Sequence, residues 1–242
     1  MAVAVQTVGT AAIGASVGTA ITITAPTGIV VGDLLIAFVG GPNDYSVNTA
    51  TGWTGLTQGQ SIEGNQMTMK AQWKIAVQAD VDASNFTFTV STGSGLTGFM
   101  LRIDGHNATT PINAETCENL DTDGTDPVIT NTLTPSVANC LIILSIWEAE
   151  AQNAFSGWAI ATSPPTFTEH NDQSGTVAGT GRGMSRGCAS GVRPETTATG
   201  NSTVAFGATG NRWVGAQIAV APVVAAAGTV ANNNNLLLMG VG

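Results

Sequence analysis

A chain of 242 residues carries only 10% charged residues and a net charge of −9, with 7 Lys and Arg against 16 Asp and Glu. Lys70 and Lys74 are its only lysines, so no basic patch exists to neutralise a run of phosphates, and a nucleic-acid partner is excluded. The apolar-rich, charge-poor balance also excludes a disordered chain, and no apolar stretch reaches the ~18 residues of a membrane-spanning helix. What remains is a sheet protein with many tight turns, long enough to bury a real core. Surface charge this sparse implies that much of the surface lies against other subunits.

In chain order, residues 1–24 alternate small apolar residues with Thr, and Ala20–Thr24 reads as a strand after a start (Met1–Val5) that lacks the basic region of a secretory leader. Val30-Val31-Gly32-Asp33 leads into a wholly apolar run, Leu34–Val39, which Gly40-Gly41-Pro42-Asn43-Asp44 is expected to break. Gln66–Ala76 alternates Met67, Met69, Ala71, Trp73 and Ile75 with polar residues, which predicts one packed and one wet face. Asp80–Ser84 is a loop or single turn, followed by strands at Phe86–Val90 and Phe99–Ile103. The polar stretch Asp104–Pro127 reads as a link. Beyond it, Asn139–Trp147 repeats the apolar run, Glu148–Phe155 allows at most a turn or two of helix, and Asn171–Gly183 suits an exposed loop. Strands follow at Gly183–Ala189, Ser202–Phe206 and Gly215–Val220.

Matching elements recur about 105 to 118 residues apart: Gly32–Gly40 with Asn139–Trp147, Gly52-Trp53 with Gly157-Trp158, and Gly98–Ile103 with Gly215–Val220. The expected fold is therefore all-β, a jelly-roll-like two-sheet sandwich over residues 1–222, built from pseudo-repeats at about 20–115 and 135–222. Runs apolar at every position are strands covered on both faces. The segment 223–242 changes character. It ends in Leu236, Leu237, Leu238, Met239 and Val241, an apolar run expected to serve as an assembly tail that adds a strand here or docks on a neighbour.

Chemistry-bearing residues are few. His106 and His170 have no His or Cys at metal-ligand spacing. Asp121, Asp123 and Asp126 surround Gly124 as in part of a calcium loop, but the closing Glu is missing. Glu148, Glu150, Asp44 and Glu63 show no spacing that favours glycoside hydrolysis. Cys117, Cys140 and Cys188 form no disulfide framework, and Cys140 suits a core. Neither catalytic residues nor a cofactor are expected. Trp53 and Trp158, each after a Gly near a loop, are the candidates for stacking on a sugar; Trp73 and Trp147 sit in apolar patterns and suit the core.

Val31-Gly32-Asp33-Leu34-Leu35-Ile36-Ala37, then Gly52-Trp53-Thr54, Trp73-Lys74-Ile75-Ala76, Phe86-Thr87-Phe88, and Leu101-Arg102-Ile103-Asp104-Gly105 with Pro111-Ile112 form a recurring order. It resembles a group of tailed-bacteriophage and prophage structural proteins in which such segments punctuate a β-sandwich. The resemblance covers residues 20–115 well and 135–222 weakly. It implies a non-enzymatic virion protein, made in the host cytoplasm, that decorates the capsid and contacts copies of itself and other virion proteins. The alternatives are a tail- or fibre-associated protein, or an adhesin for host-surface glycans. The motifs mark strands and turns, so no catalytic residue carries over.

Overall fold

The computed structural model describes residues 2–13, 18–61, 66–92, 95–124, 128–129, 131–149, 152, 154–162, 165–177, 181–206 and 211–223. The first half holds β1 (Ala4–Thr10), β2 (Ala20–Thr24), β3 (Leu34–Pro42), β4 (Thr54–Ser61), β5 (Met67–Ile75), β6 (Asn85–Thr89) and β7 (Thr97–Asp104), with a single helical turn, α1 (Gln78–Val81), before β6. The second holds β8 (Ile112–Gly124), β9 (Val128–Ile129), β10 (Cys140–Ala149), β11 (Phe155–Ile160), β12 (Thr168–Thr176), β13 (Gly183–Arg193), β14 (Ser202–Phe206) and β15 (Asn211–Val220).

Two five-stranded antiparallel sheets dominate, with orders β1-β7-β3-β5-β4 and β12-β13-β10-β15-β8. Pairing within each half is nested. β1 pairs β7, β2 pairs β6 and β3 pairs β5; likewise β8 pairs β15, β9 pairs β14 and β10 pairs β13. A chain paired first-to-last in this way and rolled so that alternate pairs fall in alternate sheets is a jelly roll. The large sheets pack face to face, with β4 over β8 on one flank and β1 beside β12 and β13 on the other. Smaller sheets, β2-β6 and β11-β14-β9, cover their outer faces.

This layering explains the two apolar runs. Each is the third strand of five, and every residue of β3 and β10 is buried. Leu34, Ile36 and Phe38 meet Leu141, Ile143 and Trp147 in the core between the halves. Leu35, Ala37 and Val39 instead pack under Ile21, Ile23 and Phe88, and Ile142 and Leu144 pack with Leu133 and Ile160.

Five local expectations are corrected. β3 does not stop at Gly40 but pairs on through Gly41↔Thr68 and Pro42↔Met67, because the glycines let the neighbouring backbone come close. The supposed wet face of β5 lies under the 43–50 loop. Thr68 Oγ donates to the Asn43 carbonyl (2.8 Å), Lys70 Nζ to that of Val47 (3.1 Å), and Gln72 Oε1 accepts from the Ala50 N–H (2.8 Å). Its polar side chains thus satisfy a loop backbone that could not otherwise be buried. The supposed link contains β8, the first strand of the second half, and the Asn171–Gly183 loop begins inside β12. Both are edge strands, which need hydrogen bonds from one neighbour and tolerate polar residues. Glu148 and Ala149 likewise continue β10.

Candidate functional site

The segment after β15 lies beside the segment after β7. Asn107 N–H donates to the Ala221 carbonyl (2.8 Å) and Val223 N–H to that of Gly105 (2.7 Å), with His106 and Pro222 bridged between them. The ladder cannot extend further. Asp104 already pairs with Ala4 of β1, and Ile103 pairs with Val5 of β1 and Leu34 of β3. Both sides of β7 are thus occupied at Ile103.

Val223 lines a pocket of about 440 Å³ together with Val30, Val31, Asp33, Arg102 and His106. Val30, Val31 and Val223 are 53%, 59% and 48% exposed, an apolar rim of the kind that marks a contact surface. The floor is polar and hydrogen-bonded. Gly32 at φ 95° turns the chain, and the Asp33 N–H donates to the Val30 carbonyl (3.1 Å). Asp33 Oδ2 accepts from the Val30 N–H (2.8 Å) and from Arg102 Nε (2.6 Å). Burial holds the His106 imidazole below its usual pKa, with the Ile103 backbone and the Asp33 and Asp104 carboxylates pulling the other way. Sequence reasoning missed Arg102 and Val223 here, because nothing in the pattern places residue 102 against residue 33.

The two candidate sugar-stacking tryptophans part company. Trp53 is half-buried, set by the Gly52 turn (φ 79°) and its N–H bond to the Ala50 carbonyl (3.0 Å). It meets Phe86 and Phe88 edge-to-face at 5.9 and 5.2 Å between centroids, and walls a pocket of about 400 Å³ with Thr49, Ala50, Thr51, Phe86, Thr87 and Thr89. Trp158 leans on Phe155 (5.8 Å), and its indole N–H donates to Glu169 Oε2 (2.9 Å). The space it shares with Ile146 and Val204 leaves no room for a water. Trp147 and Trp213 are buried in the core, and Trp73 packs against its edge.

Other polar groups are bonded within the fold. Arg186 is fully buried between the large sheets, its guanidinium over Phe99 (5.5 Å) and Trp147 (5.9 Å). It donates to the Ala11 carbonyl (2.6 Å) and to Gln173 Oε1, tying the end of β1 to the second half; burial pulls its pKa down to about 9. His170 Nε2 and Ser190 Oγ share a 2.7 Å hydrogen bond across β12 and β13. Such a pair needs a third group to orient the ring and donors for an oxyanion before it acts as a nucleophile. Asp121 and Asp123 lie on β8 and Asp126 lies outside the described residues, among which no cluster of three metal-binding side chains occurs. Glu148 is buried in β10, while Glu63 and Glu150 lie outside the described residues. The tail residues Leu236, Leu237, Leu238, Met239 and Val241 lie outside them too.

Burial pushes the Cys117 thiol up to about 12, aided by the Glu115 carboxylate; burial also takes Cys140 to about 11 and raises Cys188. A thiolate is the reactive form, so at any pH near neutral Cys117 and Cys140 hold roughly 100- to 1,000-fold less of it than an ordinary cysteine. Iodoacetamide at pH 8 should therefore label none of the three in the folded protein and all three in urea, read by intact mass. Labelling of any one at the rate of a free thiol would contradict this.

The chain matches no family model, no curated protein and no solved structure.

Proposed function

We propose that this chain is a non-enzymatic structural protein of a tailed-phage virion, a capsid decoration protein that works by adhesion. One observation carries the reading. Val223 stands on the exposed apolar rim formed with Val30 and Val31, and the sequence after it carries the apolar run Leu236–Val241. From residue 223 to residue 236 a chain can extend roughly 40 Å, enough to reach an adjoining subunit. Burying aliphatic area there contributes roughly 25 cal/mol per Å² before ordering costs. The sparse charge of the sequence and a motif order that resembles that of phage structural proteins support the same reading.

Deletion of residues 236–242 tests it. The truncated chain should melt at the parent temperature, because none of the described core involves these residues, while its incorporation into purified particles should fall at least about tenfold. Unchanged incorporation, counted by quantitative mass spectrometry, would overturn the adhesive role. The same count separates capsid from tail: decoration requires on the order of hundreds of copies per particle, a tail or fibre about three to twelve.

A further inference from the structure

The structure assigns a second binding site, independent of the tail: we propose that the Trp53 pocket takes a neutral saccharide, as a mono- or disaccharide or the end of a longer glycan. Its volume of about 400 Å³ sits at the small end of the roughly 300–1,000 Å³ range of small-molecule sites. The wall is made of two kinds of group. Trp53 and Phe86 provide aromatic surface, and Thr49, Thr51, Thr87 and Thr89 provide hydroxyls; those of Thr49, Thr87 and Thr89 already bond Lys70, Thr22 and Asn48 and offer a ligand their remaining hydrogen-bonding capacity. A pyranose has the matching pair of surfaces, an apolar C–H face and a rim of hydroxyls that need hydrogen-bond partners.

Charge argues for a neutral ligand. No Asp, Glu, Lys or Arg lines the pocket. Lys74 Nζ stands 5.8 Å from the Trp53 ring centroid but is not part of the wall, and it is already paired with Asp80 at 2.7 Å. Lys70 Nζ comes within 2.9 Å of the Thr49 wall hydroxyl but is held there and by the Val47 carbonyl (3.1 Å), so neither ammonium is offered to a carboxylate or sulfate brought out of water.

The platform is also rigid before any ligand arrives. The indole is held by Phe86 and Phe88, and the strand-like loop beneath it by Gln72, which accepts from the Ala50 N–H and donates to the Asn48 carbonyl (3.4 Å). A side chain fixed in its binding geometry loses little entropy on binding. Trp158, the pseudo-equivalent Gly-Trp position, is held as well, by Phe155 and through its indole N–H to Glu169, but the space beside it leaves no room even for a water.

The test uses the full chain, ¹⁵N-labelled, titrated with glucose, galactose, mannose, N-acetylglucosamine, maltose, cellobiose and lactose at millimolar concentration. The Trp53 indole N–H resonance, assigned by its disappearance in Trp53→Phe, should shift saturably with at least one of them while that of Trp158 stays in place. Trp53→Ala should weaken binding at least tenfold. Because that change also removes packing against Phe86 and Phe88, Thr51→Lys serves as the second variant. It places a long side chain at an exposed rim position and should abolish binding at an unchanged melting temperature. Trp158→Ala should bind as the parent does. The proposal is overturned if no sugar moves the Trp53 resonance, if Thr51→Lys binds like the parent, or if Trp158→Ala is the variant that loses binding.

Discussion

Replacing Asp33 with alanine should lower the unfolding free energy by about 3 kcal/mol, the lower end of the cost of breaking a buried ion pair. Asp33 is 4% exposed and its Oδ2 holds two partners at once, Arg102 Nε at 2.6 Å and the Val30 N–H at 2.8 Å. Its removal strands a guanidinium that is 17% exposed, so some water reaches it and the upper end of the range is not attained. It also loosens the Val30–Asp33 turn, which is stitched to the end of β5 through Gly32 N–H to the Ala76 carbonyl (2.9 Å) and Ala76 N–H to that of Asp33 (2.8 Å).

The second half shows how the cost can be avoided. The registers Leu34↔Ile103 and Leu141↔Val220 make Cys140 the equivalent of Asp33 and Ala219 the equivalent of Arg102. Both replacements are fully buried in an apolar cluster. The double change Asp33→Ala with Arg102→Leu should therefore cost less than Asp33→Ala alone, because no charge is left unpaired. Urea unfolding of the two variants decides the matter. A double variant less stable than the single one would show that the pair does more than neutralise itself.

Gly40→Ala should be as damaging or worse, costing on the order of 3 kcal/mol or more, a large share of the roughly 5–15 kcal/mol that holds a typical domain together. Gly40 lies in the central strand, opposite Met69 of β5 and Thr97 of β7. A Cβ there would stand 2.0 Å from the Thr68 carbonyl oxygen and 2.9 Å from Met69 Cα. These are backbone atoms of a paired strand, which cannot rotate aside as a side chain can, so β3 and β5 would have to separate.

Gly32→Asn provides the contrast. A Cβ at Gly32 meets nothing within 4 Å, and its equivalent in the second half, Asn139, already adopts a left-handed conformation at φ 61°. Asparagine tolerates that region, so this change should cost less than about 1 kcal/mol. Thermal melts of the pair give the comparison. A Gly40→Ala protein melting with the parent would mean that the strands are not so closely spaced.

The residues that declared themselves in the sequence are those whose own side chains settle their surroundings. Leu34–Val39 and Cys140–Trp147 are apolar at nearly every position, and only a strand covered on both faces can bury them. Their repetition, with the Gly-Trp and Gly-led strands that follow, made two similar halves legible, and the all-β class with them. The polar segments were misread because a strand's ladder bonds come from its neighbour's backbone and leave no mark on its own side chains. β8 and β12 became strands only because β15 and β13 offered free edges, and β5 lost its wet face because a loop folded over it. The candidate sites divide in the same way. Sequence singled out Trp53 and Trp158 as equals. The tertiary structure separated them by opening a pocket beside one and closing the space beside the other, just as it brought Asp33 to Arg102 across 69 residues to floor the pocket that Val223 lines.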